Sequence, residues 1–438
     1  MLLWPAFLNQ HPILFVDSMA YLRHGLTGDV PWDKTMAYGP FLALFHQRVT
    51  LWGPILAQAL ILSHLLWLTQ RLARGEVTPG RHLLVVLVVA AFTAAPWFTS
   101  LLMPDIFAPI LVLALYLLGY GGARLSRAEV IWLGALAAFA VAVHLSHLPL
   151  ALALIVLVAL MRRRLWPVLR CGVPILAALV FLLGSNALAV GRATLSPHGS
   201  VFLLARWLED GPALWTLRAR CPEAGWYLCG FIAEMPMDSD HFLWSPASPV
   251  NRLAAGGVGL EHLSPEASAI LSVTLRVYPW QVVRLALANG AAQLVMTRLD
   301  DSFDAADLNE FSARILRLNF PPGAVLAFET SGQMRDGFAH LPFIGLHQPA
   351  LLLAALGLAG GWWRLARSGD PRDGPRLALI LCILVGISGN ALATGALSKP
   401  HHRYQARIAW LLPLAAILAI PPLPGWRTAG IRPAPPPR

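Results

Sequence analysis

Residues 172–191 read GVPILAALVFLLGSNALAVG, twenty positions without one charged side chain. As a helix rising 1.5 Å per residue this stretch is about 30 Å long, the thickness of a bilayer's hydrocarbon core. Just before it stand Arg162, Arg163, Arg164 and Arg170. Comparable apolar stretches lie near 1–16, 51–70, 82–101, 106–120, 130–143, 148–161, 341–363, 377–397 and 408–422. The sequence therefore predicts an all-α polytopic membrane protein with about ten transmembrane helices, within a range of roughly eight to twelve. The pair 130–143 and 148–161 reads either as a two-span hairpin with His144 and His147 at its tip or as a re-entrant element.

Composition supports this class. Of 438 residues, 57% are apolar and 13% charged, against roughly 25% charged in a soluble globular chain. That excludes a disordered chain, a collagen, a disulfide mini-protein and an ordinary cytosolic enzyme. The net charge of +10 does not point to nucleic acid, because of where the charges lie. Arg71, Arg74 and Arg81, Arg124 and Arg127, Arg162 to Arg170, Arg364 to Arg376, and Arg427, Arg432 and Arg438 occupy alternate connections. This is the positive-inside pattern of cytoplasmic loops.

The alternation divides the chain. Residues 1–192 form an N-terminal transmembrane module, 341–422 form C-terminal transmembrane helices, and 423–438 form a Pro-rich, disordered cytoplasmic tail. Residues 17–50 and 193–340 fall outside the cytoplasm. The stretch 193–340 carries 15 Asp and Glu against 10 Arg, so it reads as an inserted, mostly helical extracytoplasmic domain, with amphipathic helices over 265–299. The stretch 1–16 contains Asn9, Gln10 and His11 and lacks the basic flank of a signal peptide. It reads as a first span with part of its helix missing from the start. Cys171 and Cys382 fall in apolar spans as packing residues. Cys221 and Cys229, in the polar region, read equally as a local bridge or as two thiols.

Three places carry candidate chemistry. Asp17 follows an apolar stretch directly, where a carboxylate is costly to keep charged, although Asp-Ser-x-x-Tyr21 also suits a helix cap. Asp105, in Met103-Pro104-Asp105, lies between two apolar stretches on the same side and also suits a helix start. Lys399, His401, His402, Arg403 and Arg407 put three cations and two histidines into nine residues, enough to hold a phosphate.

Asp17 with Tyr21, a glycine and Tyr38-Gly39-Pro40, then Asp105 before a Leu-rich helix ending at Tyr116, then Arg403-Tyr404 ahead of Leu-Leu-Pro413, occur in that order along the chain. Together they resemble the GT-C superfamily of polytopic membrane glycosyltransferases, in particular protein mannosyltransferases and lipid A aminoarabinose transferases. Two departures stand out. Asp17 is followed by Ser18 where that family often has a second acid, and the soluble region interrupts the spans instead of following them.

The resemblance implies a GT-C-like fold in the bacterial inner membrane, with the site periplasmic. It implies transfer of a hexosyl or pentosyl group from a polyprenyl-phosphate donor to a lipid or glycan acceptor. Asp17 would be the general base and Asp105 would assist it, orient the acceptor or hold a divalent cation. Arg403, Tyr404, His401, His402, Lys399 and Arg407 would bind the donor phosphate. Tyr21, Lys34, His144 and His147 would contact substrate. The sequence leaves two other classes open: a ligase of lipid-linked glycans, and a non-enzymatic transporter or flippase of lipid-linked saccharides.

Overall fold

The computed structural model describes residues 1–255, 260–299, 310–336, 345–367 and 373–419, with Phe303, Ala305, Leu308 and Asp370 besides. Among these residues there is no strand, and one isolated parallel bridge joins Ile13 to Leu101. Among the described residues, four helices are long and apolar enough to cross a membrane: Trp52–Arg74, Leu165–Val190, His347–Arg367 and Gly374–Leu397. Pro79–Phe92, Pro104–Tyr120 and His147–Arg162 are shorter apolar helices. The chain is a helical membrane protein. Its long helices turn Leu176, Val180 and Leu188, and Leu352, Leu353 and Leu356, to the outside, a surface that suits acyl chains and not water.

The helix Phe107–Tyr120 is the hub. It is buried on every side from Phe107 to Gly119, as an all-round apolar helix must be. It packs against Trp52–Arg74, Arg127–Ala142, His147–Arg162, Leu165–Val190 and Gly374–Leu397. Gly386 lets the last of these approach closely, since a Cβ there would meet a Val112 methyl at 2.8 Å. Arg127–Ala142 and His147–Arg162 form separate helices joined at Val143–Ser146, an arrangement common to both readings of 130–161.

Three expected spans are not continuous helices. Over 1–16 the helix Trp4–Asn9 stops at Gln10, whose φ is 61°. His11, constrained towards extended backbone by Pro12, begins a buried extended segment. Its backbone groups are satisfied from both sides. Ile13 donates its N–H to Ser100 O at 3.0 Å and accepts from Leu102 N at 2.9 Å. The Gln333 side chain accepts from Leu14 N at 3.1 Å and donates to Leu14 O at 2.7 Å. Over 82–101 the chain is a helix to Phe92, a break at Thr93, and a short helix Ala95–Ser100. Over 408–422 it is Leu411–Ala419 after a break at Trp410, where Pro413 cannot donate to Ala409. The tail expected at 423–438 lies outside the described residues.

The region 193–340 also divides. Val201, Leu204, Leu217, Phe242 and Ile270 build a core of their own over 201–271, with Cys221 and Cys229 disulfide-bonded beside it. By contrast Pro279–Val295 packs along Gly374–Leu397, and Phe303, Phe320 and Phe328 join the core of the large bundle. The first part thus has a core of its own, and the described residues after it pack with the bundle.

Candidate active site

The bridge between Ile13 and Leu101 holds two distant segments side by side, four residues before Asp17 and four before Asp105. Asp17 stands ahead of the helix Ser18–Thr27, and its side chain makes no capping bond. Ser18 Oγ instead accepts from Phe15 N at 3.0 Å. The Asp17 carboxylate turns the other way, to Lys34 Nζ at 3.1 Å and Arg403 Nη2 at 3.9 Å. The helix carrying it crosses the helix Tyr38–His46 closely. A Cβ on Gly39 would lie 2.9 Å from Tyr21 O, so only glycine fits there.

Asp105 sits in the turn Pro104–Ile106 with its side chain 2% exposed. Arg403 Nε is 3.9 Å from it and Arg407 Nη1 is 3.5 Å. The two arginines are one turn apart on the helix His402–Ala409, hence on one face. Arg407 also donates to Ser146 Oγ and Asn390 Oδ1, each at 3.1 Å. Arg403 lies 4.0 Å over the Phe15 ring and 5.3 Å from that of Tyr404, a cation–π setting that favours a desolvated guanidinium. One guanidinium thus touches both carboxylates, which lie 88 residues apart in sequence.

Asp33 completes the set through its hydrogen bond to Lys34. Asp17, Asp33 and Asp105 face Lys34, Arg403 and Arg407, so the charges balance. Each charge thus has an opposite partner, which matters here because an unpaired buried charge would be expensive. Burial opposes ionisation of Asp17, but Lys34 and Arg403 outweigh it and hold its carboxyl below the usual value. Burial likewise opposes the Lys34 charge, and Asp17 and Asp33 overcome it, raising the ammonium above its usual range. Tyr21 is buried against Tyr38, ring centroids 5.1 Å apart. Burial first, and the nearby carboxylates second, keep its hydroxyl protonated well above the usual phenol range.

A divalent cation does not fit this set. Each carboxylate is already matched by a Lys or Arg, and an added double charge would meet three cations at close range. Among the described residues no three His, Cys, Asp or Glu side chains gather as a metal site.

The cationic motif splits. Arg403 and Arg407 meet the carboxylates, with the Tyr404 ring beside both guanidinium groups, whereas Lys399 pairs with Asp238 and Asp240, and His401 Nε2 lies 3.4 Å from Asp240. His402 Nδ1 accepts from Arg298 N at 3.1 Å. These three precede or begin the helix, and they fasten 238–240 and 298 to the end of Gly374–Leu397. The expectation that they join Arg403 at the phosphate is corrected accordingly. Lys399→Ala is expected to leave ligand affinity at the arginine pair within about twofold and to cost at most about 1 kcal/mol of stability, as an exposed ion pair does. A tenfold loss of affinity in a binding titration would return Lys399 to the site.

The two histidines stack on each other, ring centroids 5.1 Å apart, but bond to different groups. His144 Nδ1 is 2.8 Å from Ser146 Oγ, and that hydroxyl takes the Arg407 bond, so His144 lies one residue removed from the charge cluster. His147 is fully buried with Nδ1 2.6 Å from Ala140 O and serves the hairpin tip.

Sequence reasoning did not single out Asp33, Phe15, Ser146 or Asn390. Asn390 carried a signal, as a lone amide inside an apolar span. Asp33 carried a weaker one, an acid directly before Lys34. No family model, curated protein or solved structure matches this chain.

Proposed function

We propose that the chain is a membrane glycosyltransferase of GT-C type. It moves a sugar from a polyprenyl-phosphate donor to an acceptor hydroxyl at the periplasmic face of the inner membrane. The observation that carries this reading is the meeting of Asp17, Asp105 and Arg403 from three separated segments, with one carboxylate open to solvent and the other sealed. The Asp17 side chain is 27% exposed and that of Asp105 is 2%.

The chemistry follows from these positions. Asp17 accepts the proton of the acceptor hydroxyl while that oxygen bonds to the anomeric carbon. The bond from that carbon to the phosphate oxygen breaks, and its electron pair leaves with the polyprenyl phosphate. Arg403 and Arg407 then meet the charge that the phosphate gains. Their contacts to Asp105 and Asp17 are long, at 3.5 to 3.9 Å, so guanidinium donors can turn to phosphate oxygens while staying within ion-pair range of Asp105. Asp105 acts as a positioning residue that holds both arginines in place. Lys34 keeps Asp17 ionised and shifts towards Asp33 or the phosphate when the acceptor arrives.

The depressed Asp17 carboxyl fixes a pH dependence. Its basic form persists below the ordinary Asp value near 3.9, so turnover should show no acid limb between about pH 5 and 7. The ion-pair stabilisation has the same sign: it is present above the unfolded-chain value and lost as pH falls through the lower folded one. An acid limb near pH 6 that vanishes in Asp17→Asn would contradict the proposed electrostatics. The function itself is tested in cells, where Asp17→Ala, Asp105→Ala and Arg403→Ala should each abolish one surface or lipid-linked glycan. A full glycan complement in all three, with the protein present in the membrane, would refute the transferase reading.

A further inference from the structure

A second polar site lies at the other end of the bundle. Gln58 holds the carbonyls of Thr99 and Leu101 beside the candidate active site, and Arg71 lies roughly 20 Å further along the same helix. Between them a cavity of about 410 Å³ is lined by Ser63, His64, Trp67, Arg71, His82 and Glu129. It sits among the helices Trp52–Arg74, Pro79–Phe92 and Arg127–Ala142. Ser63, His64 and Arg71 lie on the span-length helix Trp52–Arg74, where polar and ionisable groups need a purpose, and they play no part in the glycosyl site.

The hydrogen bonds define what the cavity offers. Gln70 Nε2 donates to Leu66 O at 3.1 Å and lies 2.8 Å from His82 Nδ1. An amide nitrogen only donates, so His82 Nδ1 accepts and the proton stands on Nε2. Nε2 in turn donates to Ser63 Oγ at 3.1 Å. The Ser63 hydroxyl proton, which no protein acceptor takes among the described residues, remains available to the cavity. His64 is exposed, with its ring 6.4 Å from that of Trp132. Arg71 Nη2 bonds Glu129 Oε1 at 2.9 Å and Arg124 O at 3.2 Å, while the other Glu129 oxygen caps its own helix by accepting from Ser126 N at 2.8 Å.

Glu129 is thus committed, and the surrounding charge is positive. Arg71, Arg74, Arg81, Arg124 and Arg127 stand at this end against Glu76 and Glu129. Leu56 and Leu60 lie exposed on the same helix towards the middle of the bundle, 52% and 62%. Donors and positive charge at one end, with apolar surface leading away, match one kind of ligand.

We infer that this cavity binds the headgroup of an anionic phospholipid. Its phosphate lies by Arg71, its ester oxygens accept from Ser63 and His64, and its chains run over Leu60 and Leu56. Basic pockets between transmembrane helices recognise lipid phosphates in this manner. A free phosphate ion would meet the same donors but would have no use for the apolar stretch.

The test uses the purified, delipidated full chain in detergent. Phosphatidylglycerol, phosphatidylcholine or inorganic phosphate is added, and retention is read by native mass spectrometry beside the melting temperature. Phosphatidylglycerol should be retained and raise the midpoint, and the other two should do so weakly or not at all. Ser63→Ala and His64→Leu should each weaken retention about three- to tenfold, the loss expected for one hydrogen bond to a neutral ester oxygen. His64 is exposed, so its variant should fold even if Ser63→Ala, which strips His82 of its acceptor, does not. Equal retention of phosphatidylcholine, or retention unchanged in His64→Leu, would overturn the proposal. A midpoint raised by inorganic phosphate alone would assign the donors to a free anion and overturn the lipid.

Discussion

Asp17→Asn should leave a folded, donor-binding protein whose turnover falls by roughly 10²–10⁴-fold, the contribution of a positioned general base. The substitution keeps size and hydrogen bonding and removes only the carboxylate. Because the Asp17 side chain does not cap the following helix, no capping energy is at stake. Lys34 retains Asp33 as its partner and Arg403 retains Asp105, so neither cation is stranded. Donor affinity should hold, or rise slightly as Arg403 loses a competing carboxylate. Turnover within about threefold of wild type would end the general-base assignment, whatever happens to binding.

Asp105→Asn should act on stability first. Asp105 is almost fully buried, and both Arg403 and Arg407 lean on it. Removing one partner of a buried ionic cluster leaves uncompensated charge and costs about 3–5 kcal/mol. Arg407 would keep Ser146 and Asn390, which places the effect towards the lower end. Restoring neutrality with a second change, Arg407→Met, should recover a substantial part of the loss, as buried pairs replaced by apolar groups often do. Urea or thermal unfolding in detergent measures both. A loss below about 1 kcal/mol for Asp105→Asn would mean that water, and not Asp105, balances the arginines.

The sequence was most legible where apolar runs are long and unbroken. The stretch 377–397 lies inside the helix Gly374–Leu397, and 172–191 lies inside Leu165–Val190 up to the glycine that ends it. It was least legible where burial depends on distant partners. The stretch 1–16 is apolar enough for a span, yet its second half is extended because Ser100–Leu102 and Gln333, the latter 319 residues from Leu14, supply its hydrogen bonds. No window on the sequence contains that information. The breaks at Thr93 and Trp410 have the same character, although Pro413 gave notice of the second.

Asp17, Asp105 and Arg403 were readable as isolated charges at the edges of apolar stretches, and the fold gathers them. The nine-residue cationic motif looked like one site only because sequence proximity hides direction. Helical spacing selects Arg403 and Arg407 for one face, while Lys399 and His401 lie ahead of the helix and turn to Asp238 and Asp240. Asp33 supplies a second carboxylate to the first loop, sixteen positions after Asp17 instead of adjacent to it. The fold brings both carboxylates together on Lys34.

The most direct test of the account follows both substrate and product on one sample. The full chain in nanodiscs is incubated with radiolabelled polyprenyl-phosphate hexose and pentose donors and a lipid extract as acceptor source. Free polyprenyl phosphate and labelled acceptor are then quantified for wild type and Asp17→Asn. The account predicts that wild type releases polyprenyl phosphate in step with labelled acceptor for one donor, and that Asp17→Asn binds that donor while releasing at least about a hundredfold less. Equal release by both proteins, or donor that binds neither, would contradict it.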